Sequence, residues 1–193
     1  DFCLSRGLGD VYKRQGIRSA LADEHISLRR LARRASAHGV RIAIENLAPA
    51  YPGLPESVCH NPGAVDELVR RLDSNHVGVC LDLGHAHIAA GLAGCELAEL
   101  VEPVLEHVTL FHVHDNLGAD HSSPRSGGIE PLCLDLHLPP GAGKVPWATL
   151  APLLASHPAP LQLEIHPNLR LAPATLAILA QEMLGLRRSV APV

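Results

Sequence analysis

From Ile17 to His38 the apolar residues Ile17, Leu21, Ile26, Leu28, Leu31, Ala32 and Ala35 return at mostly helical spacing. Arginines fill the opposite face and Gly39 supplies a C-terminal stop, so this stretch predicts an amphipathic helix. The pattern then changes. VRIAIEN (40–46), HVGVCLDLGH (76–85), HVTLFHVHD (107–115) and LQLEI (161–165) are short, mostly apolar and do not alternate. Such runs predict parallel strands covered on both faces. Helical stretches lie between them. Asn61-Pro62 offers an N-cap and a first-turn proline for a helix through Leu72. Leu97, Leu100, Val101, Val104 and Leu105 mark another, with Pro103 awkward near its end. Pro146 opens a short helix through about Ala155, and a last one runs from about Pro173 to Leu186. Loops rich in Gly, Pro or Ser are expected over 48–57 and 116–144.

The order is helix, then strand–helix four times, which implies an α/β fold of parallel βα units. This rhythm leaves a closed barrel and an open doubly wound sheet equally open. No GxGxxG follows a strand, so the usual dinucleotide signal is missing. No second domain and no further repeat is visible.

Composition narrows the functional classes. The 193 residues are 47% hydrophobic and 19% charged, which fits a packed globular chain. A net charge of -4 predicts no general attraction to nucleic acid or anionic membrane. No run approaches the ~20 apolar residues of a membrane span. Five cysteines without a CxxC pair argue against a disulfide framework or a thiolate zinc site, and point to a reducing, cytoplasmic setting. Residues 1–15, DFCLSRGLGDVYKRQ, lack an initiating Met and an apolar signal core. DVYKRQ resembles read-through of a sequencing-library adapter. The expectation is an extraneous segment over 1–15 and an N-terminally truncated domain over 16–193.

Chemistry concentrates at the strand ends. Glu45 in IAIEN, Asp82 in CLDLGH, His112 in LFHVHD and Glu164 in LQLEIHP each close one strand, and successive members lie 30 to 52 residues apart. One βαβ return takes ~30 residues or more, so each step is one strand. In a barrel these ends converge on one mouth. Three carboxylates and one imidazole there suit a divalent metal ion, Mn2+, Co2+, Mg2+ or Zn2+. Carboxylates inside apolar runs are costly to bury without a cation or hydrogen-bond donors.

The motifs IAIEN, CLDLGHAHIA, FHVHDN, DLHLPPGAGKVPW and LQLEIHP, in this order, resemble the xylose isomerase-like TIM barrels over residue 17 to the end. The resemblance implies the C-terminal half of a (β/α)8 barrel, strands five to eight, with Glu45, Asp82, His112 and Glu164 as the shared metal site. It implies a sugar or sugar phosphate isomerase or epimerase that abstracts a proton beside a carbonyl through an enediolate. Glu45 and Glu164 would be base and acid, and His85 would polarise a substrate oxygen. In the nuclease branch of the family, His85 with Asp135 and His137 matches ligands of an additional zinc. His114 and Asp115 follow the family's H-x-N/H-D pattern and are expected to line the mouth, binding substrate or a second metal. The partner implied is a small-molecule sugar. The alternatives are an endonuclease IV-like phosphodiesterase acting on abasic DNA, and an inactive truncated barrel whose bare sheet edges make it aggregate or form a homo-oligomer.

Other residues receive plainer readings. His25, His38, His76 and His157 are expected in solvent, His107 at a strand start, and Cys80 in the core. His87, His121 and His166 lie near the motifs without an assigned role.

Overall fold

The computed structural model describes residues 10–48, 60–119 and 135–169. Along the chain come α1 (Asp10–Ala37), β1 (Ile42–Glu45), α2 (Pro62–Leu72), β2 (Val77–Asp82), α3 (Leu83–Ala93), α4 (Leu97–Val101), β3 (Val108–Val113), α5 (Trp147–Ser156) and β4 (Leu161–Leu163). The strands form one parallel sheet in the order β1-β2-β3-β4. The expected final helix lies outside the described residues.

Local chemistry explains most boundaries. Asn61 accepts a hydrogen bond from the Gly63 amide at 2.8 Å, and Pro62 opens α2. That helix buries Val65, Val69 and Leu72 and leaves Arg70 and Arg71 outward. Pro103 ends α4 early: the chain tightens into a 3-10 turn over Glu102–His107 before β3. The long helix expected there is corrected to these two pieces. Helix α1 also starts at Asp10, well before Ile17, and so takes in part of the stretch expected to be extraneous.

The largest correction is α3. The run 76–85 was expected to be strand passing into loop, yet β2 stops at Asp82 and the helix starts at Leu83. Asp82 is its N-cap and accepts from the His85 amide at 2.7 Å. Leu83, Ala86, Ile88 and Ala90 are buried in this helix. It has little polar face to display, which hides it from a periodicity argument.

Val79, Leu81, Phe111 and Val113 of the central strands pack with Leu83, Val101, Val104, Trp147, Leu150 and Leu154 in one core. Each fully buried large apolar side chain contributes about 1.5–3 kcal/mol of transfer free energy. The register sets Glu45 opposite Cys80, Asp82 opposite His112 and Val113 opposite Leu163. All four strands therefore finish at one end of the sheet, where the polar residues gather.

Candidate metal centre

The last residues of β1 and β2, the penultimate residue of β3 and the residue after β4 deliver Glu45, Asp82, His112 and Glu164 to one point. One ligand atom from each lies within 4.8 Å of the others. His112 Nδ1 stands 3.1 Å from Glu45 Oε1, 3.5 Å from Glu164 Oε1 and 3.8 Å from Asp82 Oδ2. The glutamates remain about one-third exposed, while Asp82 is fully buried. Its Oδ2 has no hydrogen-bond partner. A buried carboxylate oxygen left bare beside two other carboxylates is costly unless a cation meets it, so these residues fit a divalent ion.

Asn46, fully buried, holds this corner in place. Its amide donates to the Asp82 carbonyl at 3.0 Å, and its oxygen accepts from the Asp82 N–H at 2.8 Å. The pairing of β1 with β2 thus continues through a side chain past the last ladder bond. Asn46 was missed from the sequence because an Asn after a strand reads as a turn residue.

A second group adjoins the first. His85, His114, Asp135 and His137 also offer atoms within 4.8 Å of one another. His85 Nδ1–H donates to the Asn46 carbonyl at 2.8 Å, and His137 Nδ1–H donates to the Glu164 carbonyl at 2.9 Å. These bonds turn both Nε2 atoms onto Asp135 Oδ2, each at 3.3 Å. His114 is fully buried, lies flat against His137 with centroids 3.9 Å apart, and neither of its nitrogens has a hydrogen-bond partner.

The charges are strongly coupled. Burial alone would lower the His85 pKa, but its bond to Asp135 and the charges of Asp82 and Asp135 push it up to about 9. Hydrogen bonds to Cys80 and then Glu45 raise His112 to about 10, against burial. The Asp135 bond raises His137 as well. Burial opposes ionisation of Asp135, yet the imidazoles of His137 and His85 hold its carboxyl far below the usual range.

Several expectations meet a different outcome. Asp115 does not line the mouth: its buried carboxylate accepts from the amides of Asn116, Gly141 and Val145 and from Trp147 Nε1, at 2.8–3.0 Å. These donors occupy it, and it joins neither metal-capable group. His85 has Nδ1 on the Asn46 carbonyl and Nε2 3.3 Å from Asp135 Oδ2, which places it in the second group. His157 is not simply solvated, because its Nε2–H donates to the Leu105 carbonyl at 2.9 Å. His76 Nδ1–H reaches the Val40 carbonyl, and His107 is bonded to Asp66 at 2.7 Å. His87 contacts Asn116 Oδ1 at 2.8 Å, and His121 lies outside the described residues.

Comparison with known proteins bears on the fold. An uncharacterized protein of Methanocaldococcus jannaschii, MJ1311, is 29% identical over 110 residues, which is 56% of this chain and 36% of that one. The crystal structure of a D-tagatose 3-epimerase-like protein matches with a TM-score of 0.64 and 21% identity, covering 93% of this chain and 59% of that one. D-Psicose 3-epimerase from Clostridium cellulolyticum H10, solved with D-tagatose, matches with a TM-score of 0.55 and 17% identity, over 83% and 53% of the two chains. The chain thus spans little more than half of these solved proteins, and about a third of MJ1311. The family model for xylose isomerase-like TIM barrels matches residues 10–182, and the chain belongs to that family.

Proposed function

We propose that this chain carries the metal-binding strand ends of a divalent-metal-dependent sugar or sugar phosphate isomerase or epimerase. The observation that carries the reading is the bare Oδ2 of fully buried Asp82, ringed by Glu45, His112 and Glu164 within 4.8 Å. The sugar epimerases among the structural neighbours support the substrate class. On this reading Glu45, Asp82, His112 and Glu164 hold the ion. Mn2+, Co2+ or Mg2+ suits an oxygen-rich set of this kind, and Zn2+ can also enter.

A bound ion would supply Lewis acidity toward the oxygens of a carbonyl sugar and so steady the negative charge of an enediolate. The residues do the rest. Asp82 is locked by Asn46 and buried, so it serves as a fixed anion and not as a proton carrier. Glu45 and Glu164 come from opposite edges of the described sheet and stay open to solvent, which suits a pair that takes a proton from one carbon and returns one to a neighbour.

Glu45→Gln and Glu164→Gln should each lower turnover by at least about 100-fold, the size of a lost general acid or base. The test is deuterium uptake from D2O by a panel of ketoses with Mn2+ or Co2+, read by mass spectrometry on the full-length protein. Undiminished uptake in either variant overturns the assignment. The adjoining histidine-rich group is the observation that favours a phosphodiesterase instead, and metal-dependent cleavage of abasic DNA without any ketose exchange would establish that reading.

A further inference from the structure

We infer that this chain pairs with a second copy of itself through the outer faces of α1 and α4, a basic strip on one copy meeting an acidic strip on the other. Arg29, Arg30, Arg33 and Arg34 stand exposed on the last turns of α1, and Arg41 is exposed just beyond it. Glu96, Glu99, Glu102 and Glu106 stand exposed along α4 and the 3-10 turn that continues it. Among the described residues none of these is in an ion pair. Within the acidic strip Glu99 accepts from the Glu96 N–H at 3.1 Å and so holds the first turn of α4. Arg29 with Arg33, and Arg30 with Arg34, are like charges four residues apart, a spacing that destabilises the helix carrying it. Apolar side chains accompany the arginines: Ile26, Leu31 and Val40 are each about half exposed. Arginine beside open apolar surface is the composition that protein interfaces favour.

The fold places the two strips so that each can meet its opposite. Helix α2 packs against α1 on one side and against α4 and its 3-10 extension on the other. The arginines lie in the turns that lead into β1, and Glu102 and Glu106 lie just ahead of β3. Because β1 and β3 run parallel in one sheet, both strips sit at the end where strands begin, opposite the mouth. A two-fold axis through α2 at that level therefore lays α1 on the partner's α4 and α4 on the partner's α1. Each attraction occurs twice, as a closed two-fold dimer requires. The middle of the surface is already neutral, since Arg70 pairs with Asp66 at 3.0 Å and Arg71 with Glu67. The mouths would point away from each other and stay open. A second copy fits the basic strip better than a nucleic acid does, because the chain carries a net charge of -4 and supplies the matching acidic strip itself.

Sedimentation equilibrium of the full chain tests this. A dimer is expected at low salt. Raising the salt from about 0.1 M to about 1 M shortens the screening length from about 10 Å to about 3 Å, and should weaken the dimer at least about tenfold. Two variants carry reversed strips, Arg30→Glu with Arg34→Glu and Glu102→Arg with Glu106→Arg. Each alone should be monomeric, with like charges now facing across the axis. Mixed in equal amounts they should recover the dimer, because both contacts of the mixed pair are again attractive. A chain that stays monomeric at low salt overturns the inference. So does a dimer that survives both reversals, which would place the contact on the bare sheet edges instead. Loss of the dimer in each variant without recovery on mixing overturns it as well. A monomer whose arginine strip binds a labelled single-stranded oligonucleotide would assign that strip to nucleic acid. Should a reversed variant not fold, Arg30→Gln with Arg34→Gln replaces it, and an unchanged dimer there is equally fatal.

Discussion

Gly84, in the first turn of α3, lies directly beneath the ring of His114. A Cβ built there would stand 2.1 Å from His114 Cε1, closer than any real contact. Glycine in a helix is normally worse than alanine by about 1 kcal/mol, so Gly84→Ala should stabilise on propensity alone. Here the sign reverses: the methyl must push His114 off its place, and a loss of about 1–3 kcal/mol is expected from overpacking. Urea denaturation measures it, and a more stable variant would show that His114 can move freely. The same residues mark what could be read in advance. Glu45, Asp82, His112 and Glu164 stood out because each is a polar ending to an apolar run. Asp115 has the same appearance in FHVHD, but its charge is met by loop amides and not by the mouth. A carboxylate at a strand end has one sequence signature for both uses, since burial demands only that something answer the charge.

Among the elements, that carboxylate organises the stretch leading into α5. Asp115 pairs its backbone with Leu138 in both directions, at 2.7 and 2.8 Å, while its side chain gathers Gly141, Val145 and Trp147. Gly143 passes so close that a Cβ there would meet Asp115 Oδ1 at 2.3 Å. Asp115→Asn would turn an N–H group toward N–H donors and leave some of them bare. We expect a loss of about 2–4 kcal/mol, with faster proteolysis between residues 138 and 146 than elsewhere, because charge-assisted bonds are worth about 1.5–3 kcal/mol each. Uniform protection across the chain would contradict this. The central strands β2 and β3 were readable because burial on both faces leaves unbroken apolar runs, and α2 because Asn61-Pro62 is a local start signal, whereas β1 and β4 are only half-buried. Helix α3 was not. Its first residue follows the strand directly, so the boundary depends on Asp82 capping a helix that only tertiary burial reveals.

For the molecule as a whole, a cation held by the two polar groups at one end of the sheet would couple its binding to proton release. His85 and His112 hold protons up to about pH 9 and about pH 10 in the metal-free fold. A cation must displace those protons, so its apparent affinity should climb from neutrality toward that range and then level off. By the same linkage, the metal-free fold gains stability from these histidines below their unfolded value of about 6.5, and loses it as pH rises through about 9 to 10. Melting curves at about pH 7 and about pH 9, with chelator and with excess Mn2+, test both statements. A hundredfold excess over the Kd at about pH 7 should add about 2.7 kcal/mol there, and an equal gain from the same Mn2+ concentration at about pH 9 would argue against proton displacement. The joint between β2 and α3 has a further consequence for how this protein can change. Asp82 ends the strand, caps the helix and faces the mouth, so no residue is spare there. One inserted amino acid after Asp82 would swing α3 by roughly 100° about its axis. Ile88 would leave the core and His85 would leave Asp135, so a library of single insertions, scored for soluble protein, should be depleted at this joint even where neighbouring loops accept them.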